Sequence, residues 1–348
     1  MLEHRAGGGD ILIGHDLFDK IISVSNLFTA WSEFKKDKIK KNDVSSFAVS
    51  LEEELFNLHH LLKSNQYKHD KYTAFYVRDP KLRSIHKAKV IDRVFHHALV
   101  RIIEPIFDKS FIFDSYSSRK NKGTYEAGNR FRKFAWKISN KNTKTVWVLK
   151  CDIRKFFDSV DHNILIGLLL QKIKDEKVMK LLIQIIRSFQ AQPGKGIPLG
   201  NLTSQLFSNV YMNPFDNFVK RNLRSKYYIR YADDFVILSD NKQYLEDILI
   251  KIDYFLKTEL KLNLHPSKVS FVKWHKGIDF LGFVHFPHHS VIRTKTKRRM
   301  ISKMKVARIK LEKELISPHQ YNQILQSYLG RLKHCCSKGI CKVLLSDK

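Results

Sequence analysis

Two adjacent carboxylates, Asp233 and Asp234, stand between the apolar runs Tyr227-Tyr228-Ile229-Arg230-Tyr231-Ala232 and Phe235-Val236-Ile237-Leu238. Aromatic and β-branched residues on either side of a short polar break predict two strands joined by a tight turn, with the acids at its tip. Asp is depleted in strands and two like charges side by side repel, so the pair is unfavourable unless a cation neutralises it. A third acid, Asp152, ends another apolar run, Val146-Trp147-Val148-Leu149-Lys150-Cys151. If the two strands are neighbours, three carboxylates form one cluster. Three oxygen ligands suit Mg²⁺, which keeps several waters and is completed by substrate phosphates. The simpler reading is a surface Asp-Asp in a polar turn, and the rest of the chain decides against it.

A chain of 348 residues exceeds what one core usually holds, so two or three lobes are expected. Its 63 Lys+Arg against 34 Asp+Glu give a formal charge of +29. A surface that repels itself this strongly calls for a polyanionic partner, and nucleic acid is the commonest. Ribosomal or membrane-surface binding is the competing explanation. The cations are spread over a chain that is 43% hydrophobic, enough for a sizeable core, which argues for a globular protein and against a basic tail. Cys151, Cys335, Cys336 and Cys341 show no CxxC pairing and read as reduced thiols. With His334 the last three could bind zinc, although adjacent cysteines make a poor tetrahedral set. No run of 18 apolar residues exists, and residues 1–10 lack the apolar stretch of a signal peptide. Gly7-Gly8-Gly9 looks like flexible leader, and a cytoplasmic protein without a membrane partner is expected.

Helical spacing dominates residues 15–65, where Ser50 and Glu53 form a capping box ahead of a helix over 50–64. Thr73 to Val77 alternates as a strand, Asp79-Pro80 marks a turn, and residues 81–85 return as its partner. Helical spacing resumes from Val90 to Ile103, with Pro105 as the stop. His96 and His97 lie within that helix, as packing or surface residues. Further helices are expected over 123–138, 161–173, 176–190, from Leu202 onward and over 244–260. Strands at 268–274 and 278–286 precede a basic helical ending over 297–332. An antiparallel sheet that carries the carboxylates and is backed by helices is an α+β arrangement.

Asp152, Phe157, the Pro198-Leu199-Gly200 turn with Ser204-Gln205, Tyr231-Ala232-Asp233-Asp234, Lys268 and Phe280-Leu281-Gly282-Phe283 follow one another in the order found in reverse transcriptases. The chain resembles that family over about residues 30–333. The resemblance implies an α+β right-hand polymerase: N-terminal region and fingers over 11–145, palm over 146–287 with about 161–200 part of the fingers, and a short thumb with basic helices over 288–348. It implies an RNA-directed DNA polymerase, a nucleotidyltransferase using two Mg²⁺ ions, with Mn²⁺ as a substitute. Asp152 and Asp233 become the chief metal ligands, Asp234 the second acid of the pair, and the Ile153 carbonyl a further ligand. Lys268 resembles the lysine that protonates pyrophosphate, where a cation makes electrostatic sense in any case. Phe157 matches the steric gate that collides with a ribose 2′-hydroxyl and so selects dNTPs, the other reading being a core aromatic beside Phe156. Lys81 and Arg83 resemble the cations that hold the triphosphate, or else contact the nucleic-acid backbone. Leu199, Gly200, Ser204 and Gln205 belong to the nucleotide-binding turn and helix, and Phe280, Leu281, Gly282 and Phe283 to the primer grip.

One departure is informative. Most reverse transcriptases carry Gln-Gly-x-x-x-Ser-Pro at that turn, whereas this chain reads Leu199-Gly200-Asn201-Leu202-Thr203-Ser204-Gln205. The pattern is similar to the reverse transcriptases of diversity-generating retroelements, which copy a template RNA with errors at adenines. An aliphatic side chain cannot replace the polar contacts of the Gln, so discrimination at the nascent pair should relax. The stretch after Gly282 has room for a thumb but not for a maturase extension and an endonuclease. The alternatives are another bacterial reverse transcriptase, of group II intron-like or phage-defence type, and a catalytically silent RNA-binding relative. Template RNA, primer and cDNA, dNTPs and a small basic accessory protein are the partners that the resemblance implies.

Overall fold

The computed structural model describes residues 16–78 and 82–345, so the expected leader over 1–10, the Asp79-Pro80 turn and Lys81 lie outside the described residues. Two compact units divide the chain. The first takes residues 1–112, 154–217 and 255–263, the second residues 113–153, 218–254 and 264–348.

The first unit is built on helices whose apolar residues recur every three or four positions. The helix Val90–Asp108 lies at its centre and buries Val94, Phe95, Ala98, Leu99, Ile103 and Phe107, packing against the helices Val24–Phe34 and Leu202–Asn217. Asn26 Nδ2 fastens two of these helices by donating to the Ile21 and Ala98 carbonyls at 2.7 and 3.0 Å. Strands β1 (Thr73–Val77) and β2 (Arg83–Lys87) form an antiparallel hairpin, with Thr73 opposite Lys87 and Val77 opposite Arg83.

The second unit is organised by an antiparallel sheet of β3 (Trp147–Asp152), β4 (Tyr228–Tyr231), β5 (Asp234–Ser239) and β6 (Ser270–Lys273), in the order β4-β5-β3-β6. The two central strands are nearly continuous apolar runs, as expected where both faces are covered; Val148, Leu149, Cys151, Phe235, Val236 and Ile237 are fully buried. Phe131 and Phe134 of the helix Thr124–Ile138 pack on Val148, Ile229 and Val236 in one core cluster. A three-stranded meander follows, β7 (Ile278–Phe280), β8 (Phe283–His285) and β9 (Ser290–Ile292). The helices Thr294–Glu312, Pro318–Leu332 and Lys338–Leu345 close around Met300, Met304, Leu325 and Leu332. Antiparallel sheets with helices segregated around them make this an α+β fold.

Four local expectations are corrected. Ser50 makes no capping hydrogen bond with its side chain: its φ and ψ of −108° and 29° are not the extended values a cap requires. The helix Val90–Asp108 runs through Pro105, because burial of Ile103 and Phe107 favours one more turn over the missing N–H bond. The strand expected over 278–286 is the β7–β8 hairpin, turned at Leu281 and Gly282, both at positive φ. The basic helix of 297–332 is broken, with Ser317 and Gln320 forming a reciprocal capping box that starts the second piece at Pro318.

Candidate active site

Asp152 stands directly opposite Asp234 across β3 and β5. The Ile153 N–H donates to the Asp233 carbonyl at 3.3 Å, which makes Asp152 and Asp234 a pair without mutual backbone bonds, the register that brings side chains closest. The two carboxyl groups share a hydrogen bond, and Asp233 adds its field from the turn. Burial, then the charges of Asp233 and Asp152, push the Asp234 carboxyl up to about 7. That shift marks a cluster with too much negative charge for its surroundings.

Lys268 answers part of that charge. Its Nζ lies 2.6 Å from Asp152 Oδ1. The segment that carries it is fixed by His265, whose N–H donates to the Asp152 carbonyl at 2.8 Å and whose carbonyl accepts from the Lys268 N–H at 3.0 Å. In an antiparallel ladder N–H and C=O of one residue point the same way, so the Ile153 carbonyl is directed to the side of Asp233, as its N–H is. Among the described residues no three His, Cys, Asp or Glu side chains are already drawn around one point as a bound ion would draw them. The donor set nevertheless fits a hard divalent cation: hard carboxylate oxygens, mutually repelling, with one held partly protonated.

The turn that bears the acids holds Ala232 at φ +54°, a left-handed conformation that side-chain-bearing residues rarely adopt. Arg230 lies beneath it, fully buried, with Nη1 donating to the Ala232 carbonyl at 3.1 Å. Sequence reasoning read Arg230 only as part of an apolar run. The signal that could have found it is a charged residue at a strand position whose neighbours are all apolar or aromatic.

Phe280 and Phe283 are buried in the second unit, and the turn they flank is crowded: a Cβ on Gly282, at φ +88°, would meet Arg331 Nη2 at 2.7 Å. Only Leu281 and Gly282 of that stretch are half-exposed.

Arg83, Phe157, Leu199, Gly200, Ser204 and Gln205 belong to the first unit. Arg83 is exposed at the start of β2. Phe156 is the buried core aromatic, 2% exposed, while Phe157 is half-buried against its edge. The Leu199–Asn201 turn is bound to β2: the His86 N–H donates to the Leu199 carbonyl at 3.2 Å and Asn201 Nδ2 to the His86 carbonyl at 2.9 Å. Gly200 sits at φ +111°, where a Cβ would stand 3.0 Å from Ile85 Cγ2, so both the conformation and the space favour glycine. Ser204 is buried with its hydroxyl unpartnered, and Gln205 is exposed. Beside this turn lies a cavity of ≈ 680 Å³ whose lining includes Lys38, Lys41, Lys87, Arg93 and His96. Both ring nitrogens of His96 are buried without a hydrogen-bond partner, and burial holds the imidazole well below its ordinary pKa. Periodicity alone gave no sign of this cavity, because its cations come from three separate segments.

An α+β fold whose antiparallel sheet presents paired acids at a turn is a polymerase fold of the reverse transcriptase type. The chain belongs to the reverse transcriptase family, since residues 68–285 match the family described as Reverse transcriptase (RNA-dependent DNA polymerase). It is 27% identical over 256 residues to Protein YkfC of Escherichia coli, covering 62% of this chain and 65% of that protein. It is 25% identical over 177 residues to the Group II intron-encoded protein LtrA of Lactococcus lactis, covering 48% of this chain and 28% of that one. The chain thus spans less than two thirds of these relatives. Apo telomerase from Candida tropicalis shares the fold, with a TM-score of 0.51 at 12% identity over 68% of this chain and 52% of that one.

Proposed function

We propose that the protein is an RNA-directed DNA polymerase that makes cDNA from a template RNA by nucleotidyl transfer. The observation that carries this reading is the opposition of Asp152 and Asp234 on β3 and β5, with Asp233 in the turn between β4 and β5. Asp152, Asp233, Asp234 and the Ile153 carbonyl would hold two Mg²⁺ ions, or Mn²⁺ in their place. When bound, such ions activate a primer 3′-hydroxyl and neutralise the triphosphate and the leaving pyrophosphate. The chain's own groups do the rest. Asp152 and Asp234 fix where positive charge collects, and Lys268, held 2.6 Å from Asp152, brings a cationic side chain to the acids. Phe157 is the gate against ribonucleotides, which its half-buried ring beside the buried Phe156 supports. Arg83 and Lys81 bind the triphosphate, and Leu199, Gly200, Ser204 and Gln205 line the nucleotide's turn and helix. Phe280 to Phe283 steady the primer.

The basic cavity beside Gly200 supports a single-stranded template partner, through phosphate contacts weakened by salt. The fingers, palm and thumb boundaries at 145 and 287, and a cytoplasmic location, belong to the same reading. The aliphatic Leu199 supports the narrower assignment, an enzyme of a diversity-generating retroelement that errs at template adenines and works with a small basic accessory protein. The similarity to LtrA favours a second reading, a group II intron-like bacterial enzyme with ordinary fidelity.

Primer extension on poly(rA) with Mg²⁺, comparing the intact chain with Asp233→Ala, tests the catalytic assignment. The native chain is expected to extend with dNTPs and poorly with NTPs, and the variant to lose about 10³-fold or more in rate. Equal extension by both proteins would overturn the reading.

A further inference from the structure

Arg is almost never fully buried unless it is paired. Arg230 has no exposed surface at all. In its fork Nη1 donates to the Ala232 carbonyl at 3.1 Å and Nη2 to the Ser115 hydroxyl at 3.0 Å. Its main chain is held as firmly. The Arg230 N–H donates to the Asp114 carbonyl at 3.0 Å, and its carbonyl accepts from the Tyr116 N–H at 3.0 Å, so the segment around Ser115 runs as a short parallel partner on the outer edge of β4. Asp114 is in turn anchored, 5% exposed, by Arg130 Nε at 2.8 Å and Lys220 Nζ at 3.2 Å.

What this network holds is the peptide that leads into Asp233. Ala232 sits at φ +54°, and a strained residue keeps such a conformation only when its surroundings impose it. The Ala232 carbonyl belongs to the peptide plane shared with Asp233. Turning that plane would swing the Asp233 carboxylate and break the bond from the Ile153 N–H to the Asp233 carbonyl. A fork that grips the plane from below therefore sets where two of the three acids point.

We propose that Arg230 is the positioning residue of the acidic turn: its guanidinium, braced by Ser115, fixes the Ala232–Asp233 peptide so that Asp233 and Asp234 meet Asp152 before a cation binds. This rests on the reading of those acids as the metal-holding set of a polymerase. Lysine cannot substitute, because a single ammonium lacks the rigid two-armed geometry.

The test uses the intact chain and Mn²⁺ alone as the probe, with binding followed by electron paramagnetic resonance and primer extension measured in parallel. Arg230→Lys is expected to weaken Mn²⁺ binding about 10-fold and to lower kcat by about 100-fold, the range seen when groups behind metal ligands are removed, with the KM for dNTP changed less than about threefold. Ser115→Ala removes the Nη2 acceptor and should show a smaller loss of the same kind. Adding Ala232→Gly to Arg230→Lys should restore about tenfold in kcat, because glycine takes the left-handed conformation unaided. A purely structural role would lower the melting temperature while leaving Mn²⁺ affinity native and giving no rescue of kcat by Ala232→Gly, and that result overturns the proposal. Should Arg230→Lys fail to fold, Ser115→Ala decides alone: native Mn²⁺ affinity and kcat would sink the clamp. Asp233→Ala separates the two levels of the argument. If it still extends primers, the reading of the site falls; if it is dead while the Arg230 and Ser115 variants behave as native, only the clamp falls.

Discussion

In the second unit three carboxylates crowd one turn, while in the first unit Lys38, Lys41, Lys87 and Arg93 surround one cavity, and each cluster relieves its repulsion differently. Among the acids Asp152 is ion-paired with Lys268, and strain in the cluster appears as a proton held on Asp234 up to about 7. Two of the cations, Lys87 and Arg93, share one acid, Asp43, which lies 2.7 Å from Lys87. Lys38 is lowered by burial and by the charges of Arg93 and Lys41, and His97, pushed down to about 4 by burial and then by Lys38, stays neutral. The acids stand on two facing strands and the turn beside them. The basic groups are spread around a cavity of ≈ 680 Å³. The comparison teaches that the proposed metal and template would each meet the opposite charge, a compact one at the acids and an extended one at the cavity.

The largest effect that would sharpen this contrast lies in the pH dependence of the metal-free protein. The Asp234 carboxyl is raised in the folded state relative to about 3.9 in an unfolded chain, so between about 4 and 7 the folded protein binds more protons than the unfolded one. Stability from this group is therefore present at low pH and lost as pH rises through about 7, by an amount on the order of 1–4 kcal/mol. Asp234→Asn removes the titration. Urea unfolding in EDTA from pH 5 to 8 should show the native chain losing stability against the variant, and Mg²⁺ should recover the loss at pH 8. Parallel profiles for the two proteins would mean that the acids are not in conflict.

How much of this was readable beforehand depends on the range of the interaction. Asp233 and Asp234 announce their turn locally, because apolar runs flank them, and the order of short motifs from Asp152 to Phe283 was enough for the family. The pairing of Asp152 with Asp234 was conditional in the sequence, since nothing local says which strands are neighbours. Arg230 could be noticed as a charge among apolar neighbours, but its role could not be read, because that role comes from Ser115 and from a backbone angle at Ala232, neither of which leaves a mark on composition. The basic cavity shows the same limit, as Arg93 and His96 read as ordinary positions of an amphipathic helix until Gly200 and Lys38 are brought beside them. Pro105 and Ser50 show tertiary packing overriding local stop and start signals.

A middle-sized effect concerns the rim of the cavity. Leu199 is half-buried and its carbonyl is fixed to β2, so Leu199→Gln changes the side chain without loosening the turn. Restoring a polar contact should lower misincorporation opposite template adenine by about 10-fold, a difference of about 1.4 kcal/mol, within the range of one hydrogen bond to a buried partner. Sequencing the cDNA made by both proteins measures it. An unchanged error spectrum would leave the polymerase reading intact and remove the retroelement subtype.

The smallest effect tests the cavity's partner. Lys87 is the better of the two Asp43 partners to remove, because its side chain is 37% exposed and Arg93 remains to compensate the acid, so Lys87→Gln should leave the fold unchanged. If Lys87 meets one phosphate of a template strand, the variant loses one counterion-release step, and the slope of log affinity against log salt should become shallower by about 0.7. Fluorescence anisotropy with a single-stranded RNA oligonucleotide over a series of KCl concentrations reads that slope. A native slope would show that the strand does not pass through the cavity. The unpartnered nitrogens of His96 and the Asn201 carbonyl oxygen would then need a different guest, and the contrast between an ion-sized acidic site and a strand-sized basic one would no longer describe the molecule.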